Sequence, residues 1–245
     1  MPAFFISSTE IRGTELTLTG ELCHHLRASL RVKPGEVLRF TDEHRQRYQA
    51  RVSTVAPEAL TADILESRPG PIDRAPRVIL AQVILKGDHM DWVVQKTSEL
   101  GVTAVFPLTS RHGVVRPQPE RVATQVARWQ RIATEAAQQS EQWQAPQVSE
   151  PLEVRRFFSG LASTTALLLA ERQDAVGLAN ILLPALPTDT ITVIVGPEGG
   201  WAEEELSQAR EGQCQAVSLG EHILRADTAS VAALSIVQSR LGRLG

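Results

Sequence analysis

The sequence predicts an α/β protein in two parts, a small β-barrel followed by a larger domain with a mostly parallel sheet. Three observations carry this. Up to about residue 70 the chain is a series of short β-branched or alternating runs divided by turn residues. The stretch 67–76, SRPGPIDRAP, then concentrates proline and glycine as a linker does. Beyond it, buried-type apolar runs alternate with amphipathic helical stretches, the pattern of a parallel sheet covered by helices.

The strands expected in the first part are FFIS, ELTLTG, GEVLRF, YQARVSTV and ALTADILE. One helix interrupts them, from Glu21 to Arg31, where Leu22, Leu26 and Leu30 repeat at helical spacing and Arg27 and Arg31 share a neighbouring face. In the second part RVILAQVIL is a strand, Asp88–Leu100 a helix closed by Gly101, and VTAVFP a strand. Pro119 to about Ser140 is a long helix with Val122, Val126, Trp129, Ile132 and Ala136 on one stripe; its tail turns polar before Pro146 and reads as a solvated helix end. TTALLLA, TITVIV and QAVSL are further buried strands, and a helix begins at Trp201. The last helix, after Arg225, is apolar nearly all round, which predicts burial in the domain or in a subunit interface.

Composition narrows the function classes. The 245 residues are 42% hydrophobic and 22% charged, ordinary for a soluble globular protein. The longest apolar runs, TALLLA and ITVIV, are strand-length and too short to span a bilayer. MPAFFISSTE has no basic n-region and no extended apolar stretch, so no secretory signal is expected. Cys23 and Cys214 form no paired motif and read as free thiols in a reducing cytoplasm. The histidines have no metal-ligand spacing, and no metal site is expected. Net charge is −3, yet Arg27, Arg31, Lys33, Arg39, Arg45, Arg47 and Arg51 cluster against only Glu36, Asp42 and Glu43. Such a patch can hold phosphates, with Arg27 and Arg31 its first candidates for RNA contact; the other reading is a solvated face.

Two loops carry the chemistry. TITVIV runs into GPEGGWAEEEL, whose Gly196, Gly199 and Gly200 leave backbone groups open at the C-terminal edge of the sheet, where open α/β sheets bind ligands. The spacing fits neither a P-loop nor a dinucleotide fingerprint. Glu198 and Glu203–Glu205 surround it with no Lys or Arg, a poor field for a diphosphate and a better one for a cationic cofactor such as S-adenosylmethionine. The second loop is VSLGEHILRADTA. Gly220 ends a strand, Asp227 or Thr228 can cap the next helix, and Arg225, between Ile223–Leu224 and that helix, is expected to emerge from buried surroundings beside the sheet's C-terminal edge. An ion pair of Arg225 with Asp227 and a role at the ligand are both open from local sequence.

QVILKGDHMDWVVQKTSELGV, RWQRIATEAAQQS, IVGPEGGWAEEEL and LGEHILRADTA, in this order, resemble the RsmE family. These are SPOUT-class methyltransferases that modify N3 of a uridine in small-subunit (16S) ribosomal RNA using S-adenosylmethionine. The likeness covers nearly the whole chain, and HHLRASLRVKPGEVLRF looks like the family's PUA-like RNA-binding barrel. The resemblance implies a PUA-like domain over 1–70 and a methyltransferase domain with a deep trefoil knot over 77–245. It also implies a cytoplasmic homodimer with each active site at the subunit interface. Val195, Gly196, Glu198, Gly199 and Gly200 would form the first cofactor loop, and Leu219, Gly220, Ile223 and Leu224 the second. Arg225 would be the catalytic arginine.

Ala3 and Gln142 stand where the family usually has arginines, and Asp227 where it has Glu. The first two changes leave the target nucleotide open. Methylation of N3 needs its proton removed and the charge on O2 and O4 stabilised, which suits a planar guanidinium. The proton acceptor is open among Asp227, Glu198 and water. A related enzyme acting on another RNA position, or an RNA-binding protein without activity, also fits the residues.

Overall fold

The computed structural model describes residues 3–72, 74–161, 164–170 and 175–244. The chain divides into two compact units: Met1–Ile72 with Ala137–Ala145, and Asp73–Ala136 with Pro146–Gly245.

In the first unit β1 (Ala3–Phe5), β2 (Ile11–Arg12), β3 (Glu15–Thr19), β4 (Val37–Thr41), β5 (Gln46–Val55) and β6 (Ala59–Pro69) form one sheet in the order β1-β4-β5-β6-β3-β2. Its neighbours are antiparallel except β1 and β4. Alternation explains the core: in β3, Leu16 and Leu18 are fully buried while Glu15 and Thr19 face solvent. Two register shifts between β5 and β6, at Gln49/Ala50 and Val52/Thr54, bend this pair. All five expected strands are present. The linker is shorter than expected, because Ser67 and Arg68 still pair with Tyr48 and Arg47; Asp73 lies outside the described residues.

The expected helix 21–31 is broken. α1 (Gly20–His24) passes into a π turn, His25–Ser29, closed by Leu30 N–H on the His25 carbonyl at 3.1 Å. The wider turn carries Leu30 off the apolar stripe, leaving it 48% exposed, and Val32 is buried instead. Arg31 lies past the helix at φ 55°, so it does not share a helical face with Arg27.

The polar tail of the long helix is also not a solvated end. Arg39 forms a two-pronged ion pair with Glu141 at 2.6 and 2.9 Å. Arg47 donates to the carbonyls of Glu141 (3.0 Å) and Gln142 (2.9 Å), and its guanidinium lies 3.8 Å from the Trp143 ring centre. Burial, then the neighbouring Arg68, lower the Arg47 pKa, against the pull of Glu141. Arg39 and Arg47 are therefore held inside this unit, and Arg45 donates to the Pro71 carbonyl at 2.9 Å. Arg27, Arg31, Lys33 and Arg51 are the members of the basic cluster whose side chains make no bond to other described residues.

The second unit begins with β7 (Arg77–Val83), α2 (His89–Glu99), β8 (Ala104–Thr109) and α3 (Pro119–Gln139). Short β9 (Gln147–Val148) and β10 (Leu152–Glu153) and helix α4 (Val154–Ser159) follow, then β11 (Thr165–Leu169), β12 (Val176–Gly177) and β13 (Thr190–Val195). The chain ends with α5 (Glu203–Glu211), β14 (Gln215–Ser218) and α6 (Ala226–Arg240). The sheet order is β10-β8-β7-β13-β11-β14-β12, with β9 on β8, and every pair is parallel. This is the expected mixed α/β fold with a parallel sheet. β13, central and fully enclosed, buries Ile191 to Val195 without alternation, as a strand covered on both faces must. Gly101 closes α2 at φ 81°. No described helix is long and apolar enough to cross a membrane.

Candidate active site

A parallel sheet brings the C-terminal ends of its strands to one edge. Here that edge gathers the loops after β7 (84–88), β8 (110–118), β13 (196–202) and β14 (219–225).

The loop after β13 starts at Val195, 2% exposed, and turns back on itself through Gly200 N–H to the Pro197 carbonyl at 3.0 Å. Gly200 sits at φ 74°, which an L side chain rarely adopts. Gly196 is glycine for a different reason. A Cβ there would lie 2.9 Å from Trp201 Cε2, because the indole folds over the strand end and donates to the Leu169 carbonyl at 2.9 Å. Trp201 is thus bound into the loop, and α5 begins two residues later than expected, at Glu203. Gly199 packs on His112, whose Cβ would be 3.2 Å from a Cβ at 199. Glu198 is exposed.

The three glutamates divide. Glu205, 8% exposed, accepts from Ala202 N–H at 2.9 Å and from Arg111 N–H at 2.7 Å, capping α5 and fastening the loop after β8. Glu204 and Glu203 face solvent and pair with Arg111 (3.0 Å) and Arg210 (3.3 Å). His112 Nδ1 is 3.2 Å from the Gly200 carbonyl, an acceptor, so this nitrogen carries the hydrogen. Sequence reasoning passed over SRHGVVR; its position between a buried strand and a proline-started helix was the available signal.

In the loop after β14, Leu219 packs on the core, Gly220 sits at φ 122°, Leu224 is half-buried and Ile223 is 58% exposed. Arg225 is the N-cap residue of α6; its carbonyl accepts Ala229 N–H at 2.8 Å, and its exposed side chain makes no hydrogen bond or ion pair with other described residues. Two expectations are corrected. Arg225 does not emerge among buried groups, and neither Asp227 nor Thr228 is the N-cap. The ion pair with Asp227 is absent because Asp227 is taken by His89, whose Nδ1 lies 2.7 Å from Oδ2. The other oxygen accepts Thr228 N–H at 2.7 Å. Burial raises the Asp227 pKa, but the bonds from His89 and Thr228 outweigh it and hold the carboxyl below its ordinary value.

A buried polar pair fixes the helix behind Arg225. Gln82, opposite Val195 on β7, bonds the Ser230 hydroxyl of α6, both side chains being fully buried. The Gln82 amide nitrogen donates to the Val83 carbonyl at 2.9 Å, so the pair is satisfied. The structure therefore gathers the predicted loop residues and Arg225 at one sheet edge, and adds His89, His112, Gln82, Glu205 and Ser230 to them. Arg27 and Arg31 belong to the other unit. A separate groove of about 710 Å³ lies between α4 and α5, lined by residues that include Phe158 and Gly212.

Residues 73–238 match the RNA methyltransferase domain family. A ribosomal RNA small subunit methyltransferase E from Synechocystis sp. is 33% identical over 96% of this chain and 77% of its own length. One from Bacillus subtilis is 25% identical over 97% of this chain and 96% of its own. Among solved structures, the Neisseria gonorrhoeae ribosomal RNA small subunit methyltransferase E bound to S-adenosyl methionine superposes with a TM-score of 0.87 at 34% identity, covering 98% of each chain. A Legionella pneumophila protein in complex with the same cofactor gives 0.88 at 26% identity over 97% of each chain. With its sheet-edge loops inside the matched region, the chain belongs to the RNA methyltransferase family, in the group of ribosomal RNA small subunit methyltransferase E.

Proposed function

We propose that this protein transfers the methyl group of S-adenosylmethionine to N3 of a uridine in 16S ribosomal RNA. The observation that carries the reading is Arg225, a guanidinium without a partner among the described residues, at the mouth of α6 and in the same sheet-edge set as the glycine loop.

The loops fit the cofactor's chemistry. Exposed residues Glu198–Gly200, the apolar Leu219, Ile223 and Leu224 and the carboxylate of Glu198 suit an adenosine joined to a sulfonium. The fastened ends of both loops limit the reorganisation that binding requires. S-adenosylmethionine supplies an electrophilic methyl carbon; the protein's own task is to line it up with the base and to meet the charge that develops there. As N3 loses its proton, charge spreads to O2 and O4, and Arg225 presents a planar set of donors to one of them.

The finer architecture belongs to the same reading. The sheet of the first unit would be a PUA-like RNA-binding barrel over 1–70, with Arg27 and Arg31 on RNA phosphates. The domain over 77–245 would be a SPOUT trefoil knot, its loops 196–201 and 217–225 wrapping the cofactor. Two copies would form a cytoplasmic homodimer acting on the RNA or the assembled small subunit, and the exposed Trp92 of α2 (41%) and Ile223 are apolar groups available to such an interface. Mass spectrometry of ribosomal RNA from cells with and without the protein tests the proposal. A 3-methyluridine that disappears with the protein supports it, and an unchanged modification profile overturns it.

A further inference from the structure

We propose that His89 is the base that takes the proton from the methyl-accepting nitrogen, with Asp227 as its positioning carboxylate. The inference rests on the methyltransferase reading above and supplies the destination of the proton.

His89 opens α2, and Asp227 lies in the first turn of α6, two residues after Arg225. The two meet across 138 residues of sequence, Nδ1 to Oδ2 at 2.7 Å. An ionised carboxylate only accepts, so Nδ1 carries the hydrogen. The neutral ring is then fixed as the tautomer whose Nε2 lone pair points away from the carboxylate. The histidine side chain is 54% exposed and the aspartate's 17%. An open ring held by a more sheltered carboxylate is the division of labour of a base and its orienting group. Asp227 itself suits the task poorly, since its bonds to His89 and Thr228 keep it below its ordinary pKa.

Among the described residues, the other charged groups on the elements around His89 leave Nε2 unengaged. Asp88 and Asp91 share its turn, and Arg128 of α3 is bonded to Asp91 at 3.0 Å. Lys86 and Arg225 stand in the two loops that lead into α2 and α6. In the step itself the nitrogen loses its proton to His89 Nε2 and uses the freed electron pair to bond the methyl carbon. The carbon–sulfur pair stays on sulfur, giving S-adenosylhomocysteine. The imidazolium is stabilised by Asp227 and returns its proton to water through its exposed edge.

The competing account is an ion pair that only joins α2 to α6, and the variant H89K separates the two. It keeps a cation opposite Asp227 but is protonated at neutral pH and cannot act as the base. Single-turnover methylation of small-subunit RNA at saturating S-adenosylmethionine is measured for wild type, H89K and H89Q across pH, beside calorimetric cofactor binding and melting curves. Both variants are expected to be slower by about 10²-fold or more, with cofactor affinity unchanged. The acid-side inflection of the wild-type rate profile should vanish in H89Q. H89K at the wild-type rate overturns the assignment. Long-range ¹H–¹⁵N NMR of the protein without RNA gives a readout independent of activity: Nδ1–H is expected in wild type, with the preference lost in D227N, and Nε2–H in wild type overturns the proposal. A wild type that methylates no uridine sinks the functional reading and the base with it, whereas a failure confined to the variants or the tautomer sinks the base alone.

Discussion

Gly196→Ala is expected to destabilise the protein by about 2–4 kcal/mol through Trp201 alone. The added Cβ would stand 2.9 Å from Cε2 and 3.0 Å from Nε1 of the indole, well inside the ~3.5–4.0 Å of comfortable contact. The ring has little room to retreat. Its N–H is bound to the Leu169 carbonyl at 2.9 Å, and its other side packs on Phe158, ring centres 6.2 Å apart. Overpacking of this kind costs about 1–3 kcal/mol, and losing the indole hydrogen bond about 1 more. At ~2–4 °C per kcal/mol for a chain of this size, melting should fall by roughly 4–16 °C. Calorimetry on Gly196→Ala, Trp201→Phe and the double variant checks the cause. The phenyl ring makes room and has no N–H to lose, so the alanine should cost at least about 1 kcal/mol less in that background. Additive losses, or a Gly196→Ala protein within ~0.5 kcal/mol of wild type, would refute the wedge argument and return Gly196 to a purely ligand-facing role.

Arg225→Lys keeps the charge but loses the planar donor set, and single-turnover methylation should drop by about 10²–10³. Because the Arg225 side chain has no partner among the described residues, melting and cofactor affinity should not change; a melting loss without a rate defect would place it in a structural pair. Asp227 has a folded-state pKa below its unfolded value, so its contribution to stability is present above about pH 3.9 and fades as pH falls through the depressed folded value. The stability difference between wild type and Asp227→Asn, from urea unfolding at stepped pH, should therefore shrink toward low pH; a gap that widens there contradicts the assignment. Replacing Arg27 and Arg31 with alanine should weaken RNA binding and reduce its salt dependence by about one counterion per lost phosphate contact. Filter binding over a salt series checks this, and an unchanged slope would make the cluster an ordinary solvated face.

Local pattern was enough for most of the fold. Alternating or β-branched runs marked the strands of the first unit, β3 among them, unbroken apolar runs marked β7, β11 and β13 as enclosed parallel strands, and Gly101 ended α2 where a left-handed residue was needed. Glycines at strand ends marked the loops at Gly196 and Gly220, and the family resemblance marked the arginine at 225. Those features depend on neighbours within a few residues, which sequence displays directly. The errors fell where a distant segment decides. Periodicity carried the helix through to Arg31, but the π turn at His25 moved Leu30 out and Val32 in. The polar end of α3 read as solvated, because Arg39 and Arg47, its partners, lie some ninety to a hundred residues earlier. His89 and Asp227 are 138 residues apart and Gln82 and Ser230 are 148. Such pairs arise from the sheet order, which sets β7 beside β13 and lets α6 pack on α2. A side chain's residue type states what it can donate or accept, and only the tertiary structure chooses the partner. That choice made Asp227 the anchor of His89 and not a mate of Arg225, whose guanidinium has no partner among the described residues.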